Sequence, residues 1–270
     1  MKIGYINYLN CYPFFYHLFE KEPLPGIEVH PAYPSELNAL MNRGELEMSP
    51  ISAAAYADMQ DRTLILPDFC LSSIGYVKSV ILISRLPIED LDGRSVGLSS
   101  ASQTSVVLLK LLLKNHYGIT PRYVPVSPAP GLREIDAALV IGNEAMIPQR
   151  EPVPYVYDLG DLWLRKTGFP VVFAVFALQE SRASEFAPQL RSVISSFKRS
   201  LRYLEEDRET LIRKAEEKYP YILFDLDEYY RLLKFEFSDD LKRALEYYFQ
   251  QAGEAGLLAP VGEIRYFTGL

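Results

Sequence analysis

Gly97-Leu98-Ser99-Ser100-Ala101-Ser102-Gln103-Thr104-Ser105 passes from a β-prone run to an apolar helical pattern through small hydroxyl residues. The first N–H groups of such a helix have no intrahelical acceptor, and with the helix dipole they favour a carboxylate or phosphate. Ser102, Thr104 and Ser105 can add hydroxyl donors, with Gln103 in the same turn. The same residues also suit ordinary capping, either as a box of Ser100 with Gln103 or through Ser102 alone, and in isolation capping is the simpler reading. Tyr8-Leu9-Asn10-Cys11-Tyr12-Pro13 makes a similar junction at the end of the first strand, where open α/β sheets bind ligands. Asn10 there is a candidate contact or a turn and N-cap residue. Ser49-Pro50-Ile51-Ser52 opens a later helix in the same way, which makes Ser52 a further candidate. Several helix N-termini facing one cleft are a stronger signal than any one.

Other chemistries lack their motifs. There is no GxSxG elbow, Walker A loop or GxGxxG fingerprint, so serine hydrolase, P-loop and dinucleotide-binding readings have no support. The 3 histidines, His17, His30 and His116, are scattered without HxxH or HExxH spacing, and Cys11 and Cys70 have no paired ligand spacing, so no metal site is expected. Buried thiols in a reducing compartment are the reading for both cysteines. Asp158 and Asp161 read as helix-capping acids rather than a catalytic dyad. Tyr229, Tyr230, Tyr247, Tyr248 and Phe249 read as helix packing.

The chain has 270 residues, 49% hydrophobic and 23% charged, enough for two modest cores or one large one. A formal charge of -7 without a clustered Lys/Arg surface argues against nucleic acid, while leaving room for an anionic ligand held by local amides. No apolar run reaches the roughly 18 residues of a membrane span. Lys2 is followed by Ile3-Gly4-Tyr5-Ile6-Asn7 rather than by an apolar signal region, so folding is expected to begin at residue 2 and the protein to be cytoplasmic.

These candidates need elements to hold them. Strands are expected at Ile3 onward, at 27–33, 46–48, 95–98, 122–125, 136–141 and 171–178. Helices are expected from Pro13 to Glu20, 35–42, 102–116, and over most of 185–251, with breaks at Pro220 and near Ser238. An alanine-rich helix follows Ser52, ending near Met59. The β-prone stretch from Ser72 to Ser84 is longer than the usual 5 or 6 residues and suits one long strand crossing between lobes. The alternation implies an α/β fold with mixed, mainly parallel sheets flanked by helices and a helical C-terminal region. The expected organisation is a discontinuous large lobe, 1–84 and 175–270, and a small lobe, 85–174; a single doubly wound domain competes with it.

The ordered blocks resemble one family, the chorismate dehydratases of the futalosine route to menaquinone. They are IGYINYLNCYP (3–13), YPSELNALMNRGELEMSPISAAAYA (33–57), CLSSIGYVKSVILIS (70–84), LSSASQTSVVLLKLLL (98–113), AALVIGNEA (137–145) and YDLGDLWLRKTGFPVVFAVF (157–176). The resemblance implies a two-lobed fold like type II periplasmic binding proteins, a dicarboxylate substrate between the lobes, no cofactor and no metal. It implies a hydro-lyase that removes water from chorismate to give 3-[(1-carboxyvinyl)oxy]benzoate. By resemblance Asn10 is the active-site asparagine and Ser79 a substrate-facing residue on the inter-lobe strand. Thr104 and Ser105 match a carboxylate-binding turn, and Ser52 a large-lobe contact. Asn143 stands where aspartate is more usual after Ile-Gly, so that position offers an amide.

Two alternatives carry different signatures. The sibling lyase of that pathway, 1,4-dihydroxy-6-naphthoate synthase, has a catalytic histidine near the position of Asn143. A cytoplasmic protein that binds an organic anion without chemistry would share the fold and lack turnover.

Overall fold

The computed structural model describes residues 1–148 and 152–269. Its strands form two sheets. The first lobe begins with β1 (Lys2–Ile6), α1 (Tyr12–Glu20), β2 (Glu28–Ala32), α2 (Pro34–Asn42), β3 (Met48–Ser52) and β4 (Thr63–Ser73). The chain then crosses to a second lobe of β5 (Val80–Ser84), β6 (Ser95–Ser99), α3 (Gln103–Leu111), β7 (Arg122–Val126), β8 (Ala137–Ile141), β9 (Tyr155–Asp158) and α4 (Leu159–Thr167). It returns through β10 (Val171–Gln179), followed by α5 (Ala187–Glu206), α6 (Arg208–Lys218), α7 (Leu226–Leu232), β11 (Leu233–Glu236) and α8 (Asp239–Glu254).

The large sheet runs β11-β4-β10-β3-β1-β2 and the small one β7-β6-β8-β5-β9. Parallel pairing is confined to β2-β1-β3 and β7-β6-β8; β5 and β10 run antiparallel to both of their neighbours. The sheets are therefore mixed, and the expected parallel predominance holds only away from the strands that enter each lobe. The single strand expected over 72–84 is two strands joined by an irregular segment, 74–79. Gly75 (φ 83°) and Lys78 (φ 63°) turn the backbone into the left-handed region there, which ends pleated pairing. Sheet membership changes before Val80 and again before Val171.

Local chemistry explains the elements that face the cleft. Pro13 suits the first turn of α1, where its missing N–H costs nothing. That helix is buried on nearly every side because it lies between the large sheet and α5. Phe14 meets Phe176 of β10 at 4.7 Å and Phe197 of α5 at 6.0 Å, in an aromatic core that Phe69 and Phe235 complete. In the small lobe, Asp158 caps α4 by accepting from Gly160 and Asp161 N–H. The same carboxylate accepts from the Val77 and Lys78 N–H groups, tying the crossing segment to α4. Among the described residues, no helix is long and apolar enough to cross a membrane.

The interior is rich in buried phenols. Tyr5, Tyr229, Tyr230 and Tyr248 are all 4% exposed or less, and burial raises each above the ordinary value of 10.0. The folded protein holds these protons more tightly than the unfolded chain does. Their contribution to stability is therefore complete below pH 10 and is lost as pH rises through the folded values. The denaturation midpoint is expected to fall above pH 10, with phenolate absorbance rising together with loss of structure. Phenolate absorbance that rises fully while the protein remains folded would contradict this.

Candidate functional site

A narrow, partly open cavity lies between the lobes. The large lobe supplies Ile6 and Tyr8 at the end of β1, Asn10 in the 3₁₀ turn Leu9–Cys11, and Ser52 at the end of β3. Val77 and Ser79 come from the crossing segment, Ser102 and Ser105 from the start of α3, and Gly142 from the end of β8. Strand ends and helix starts converge there because the first residues beyond a strand are free of ladder pairing and can present polar groups.

Two buried oxygens of cavity-lining residues have no hydrogen-bond partner among the described residues, Asn10 Oδ1 and Ser52 Oγ. An unpaired buried polar atom costs about 1–3 kcal/mol, so two around one cavity point to a polar ligand as their partner. No Asp, Glu, Lys, Arg or His lines the cavity among the described residues. A negative ligand would be held by hydroxyls, amides and the first turn of α3, not by ion pairing.

The turn that carries Asn10 is fixed from both lobes. Leu9 N–H donates to Asn143 Oδ1 at 2.9 Å, and Tyr230 Oη donates to the Leu9 carbonyl at 3.1 Å. Asn143 Nδ2 also donates to Tyr221 Oη at 3.0 Å. On the rim, Ser35 N–H donates to the Ala101 carbonyl and Tyr33 Oη to Glu144 Oε1, both at 3.2 Å. The Ser52 backbone is held by Asn38 Oδ1 at 2.9 Å.

Of the eight candidate residues, Asn10, Ser52, Ser79, Ser102 and Ser105 line one cavity and three do not. Ser79 lies in the irregular crossing segment rather than on a strand. Ser102 is the cap of α3, accepting from Ser105 N–H, so the capping and cavity-lining readings apply to one residue. Gln103 turns outward, where its amide donates to Asp58 at 3.4 Å. Asn143 is 4% exposed and its amide is committed to the bridge just described. Thr104 is fully buried; its hydroxyl donates to the Phe173 carbonyl at 2.9 Å and accepts from Ala54 N–H at 3.1 Å. This hydroxyl joins the lobes and has no hydrogen left for a ligand. Thr104→Val is therefore expected to cost about 1–3 kcal/mol in chemical denaturation, since two buried backbone groups lose their partner. An unchanged midpoint with weakened ligand binding would return Thr104 to the ligand.

Sequence reasoning missed Tyr8, although it stands two residues before Asn10, and Tyr229, whose hydroxyl donates to Ser79 Oγ at 2.8 Å. Tyr8 lies against Gly142, where a Cβ would be 2.4 Å from the tyrosine ring. Burial raises the Tyr8 phenol, the largest cause, and nearby Glu144 acts in the same direction.

Two α/β lobes, two crossing segments and a cavity at the strand ends between them define a fold of the periplasmic-binding-protein class. The periplasmic aliphatic sulphonate binding protein SsuA of Escherichia coli matches it with a TM-score of 0.67 at 14% identity, over 100% of this chain and 94% of that one. Within that class the chain belongs to the menaquinone biosynthesis family, whose model matches residues 1–254. A Thermus thermophilus relative named chorismate dehydratase is 35% identical over 192 residues, 65% of this chain and 68% of that protein. A second Thermus thermophilus protein, named 1,4-dihydroxy-6-naphtoate synthase, is 24% identical over 229 residues, 83% of this chain and 82% of its own.

Proposed function

We propose that the protein is a chorismate dehydratase, a cytoplasmic hydro-lyase that converts chorismate to 3-[(1-carboxyvinyl)oxy]benzoate. The observation that carries this reading is the inter-lobe cavity lined by no charged side chain among the described residues, with Asn10 Oδ1 and Ser52 Oγ unpartnered, in a chain 35% identical to a protein of that name. Chorismate is a dicarboxylate with a ring alcohol, so it offers both acceptors and a donor to such a wall. In the reaction the C3–H bond electrons become a ring double bond as the C4–O bond breaks. The departing hydroxide leaves with a proton as water, and formation of the aromatic ring supplies much of the driving force.

The protein's task in this reading is to hold the ring, accept the C3 proton and donate to the departing oxygen. The start of α3, with Ser102 and Ser105, suits a carboxylate. Asn10 Oδ1 is the acceptor atom nearest the reading's needs, acting on the C3 proton itself or aligning the substrate's own carboxylate to take it. Ser79 is the donor for the departing hydroxyl. The sibling synthase reading is disfavoured because its histidine has no counterpart at Asn143 and no histidine lines the cavity among the described residues.

Incubation of the purified protein with chorismate, followed by chromatography and mass spectrometry, tests the proposal directly. Loss of chorismate with appearance of the enol-ether benzoate is expected. Binding without turnover would make the protein a receptor for organic anions instead.

A further inference from the structure

Tyr229 is 1% exposed on α7, in a helical stretch whose aromatic residues read from sequence as packing. Its hydroxyl nevertheless makes a directed contact, donating to Ser79 Oγ at 2.8 Å. A phenol has a single hydrogen, and here it is committed to Ser79. A serine hydroxyl that accepts in this way still has its own hydrogen to give. Ser79 lines the cavity, and its backbone is held on both sides: Lys78 N–H by Asp158 at 2.6 Å, and the Ser79 carbonyl by Gly142 N–H at 2.7 Å. Asn10 lines the same cavity, and its Oδ1 is an acceptor without a partner among the described residues.

We propose that Tyr229 is the positioning residue that sets the polarity of the reacting wall, making Ser79 a hydrogen-bond donor toward the ligand beside the acceptor Asn10. This rests on the elimination reading, which needs one group to receive a proton and a neighbouring group to donate to the departing hydroxyl. Without the phenol, the Ser79 hydroxyl is free to accept from the ligand or a neighbour instead of donating to the departing oxygen. Tyr229 acts from behind Ser79, is absent from the cavity lining and contributes a hydroxyl rather than bulk. Its ring packs on Tyr230 at 5.8 Å and Phe224 at 6.4 Å, contacts that phenylalanine preserves.

Steady-state kinetics on chorismate with wild type, Tyr229→Phe, Ser79→Ala and the double variant test the proposal. Tyr229→Phe is expected to lower kcat about 10-fold to 10²-fold with KM within about threefold, the scale of a misaligned reacting group. The double variant is expected to be no slower than Ser79→Ala, since the phenol has no effect once its partner is gone. Unchanged kcat in Tyr229→Phe overturns the assignment, and so do losses that multiply in the double variant. Collapse of the Tyr229→Phe fold overturns it as well, because a hydroxyl that only sets polarity leaves packing intact. A wild type that makes no product withdraws the elimination reading and this inference together; an active wild type beside an equally active Tyr229→Phe withdraws only the inference.

Discussion

Asn10→Ala is expected to lower turnover about 10²-fold to 10⁴-fold, the usual scale for a positioned acid-base group. The side chain lies in a turn anchored by Asn143 and Tyr230 through the Leu9 peptide, so removing its amide leaves the backbone in place. Its Oδ1 has no partner among the described residues, so the fold loses no contact at that atom, and the denaturation midpoint should stay close to wild type. Asn10→Asp separates the roles of the amide. It keeps an acceptor oxygen at the cavity and gives up the amide N–H groups, and it is expected to retain more turnover than alanine. Turnover as low as alanine's would assign Asn10 to donation, or show that a second negative charge repels the substrate. Near-wild-type turnover in a folded Asn10→Ala protein would leave Asn10 as a turn residue only.

Gly142→Ala is expected to cost at least 10-fold in turnover and about 2–3 kcal/mol in stability, from two separate causes. Gly142 has φ 64°, a left-handed conformation that a Cβ disfavours. The added Cβ would also stand 2.4 Å from the Tyr8 ring, which must then swing away from the cavity wall. Because Gly142 N–H holds the Ser79 carbonyl, the strain reaches the crossing segment too. Kinetics and denaturation on the same preparation check both parts. Wild-type values in both would mean that the ring and turn relax freely and that the cavity does not depend on their close packing.

Much of the site is legible in the amino-acid sequence, because its residues sit at junctions with strong local signals. Asn10, Ser52, Ser102 and Ser105 all stand where a strand pattern gives way to a helix start, and all four line the cavity. Asp158 reads as a cap and is one, although its bonds to Val77 and Lys78 span about 80 residues and have no local signature. The elements that escape such a reading are short or interrupted. β11 is four residues inside a helical region, too brief for a two-residue alternation to compete with a 3.6-residue one. β9 exposes Tyr155 and Val156 at the sheet edge, which hides the apolar pattern of a strand, and β4 is broken by Pro67.

Periodicity, turn residues and the ordered blocks established an α/β chain with strand-to-helix junctions as candidate sites and its family likeness, because those properties are carried by neighbouring residues. Which junction residues line the cavity depends on contacts between lobes. Thr104 and Ser105 are adjacent and chemically alike, yet one hydroxyl is spent on Phe173 and Ala54 while the other residue lines the cavity. Tyr229 had no local mark to separate it from its packing neighbours. Its role depends on meeting Ser79, 150 residues away, and such a meeting is made by the folded chain rather than by any pattern along it.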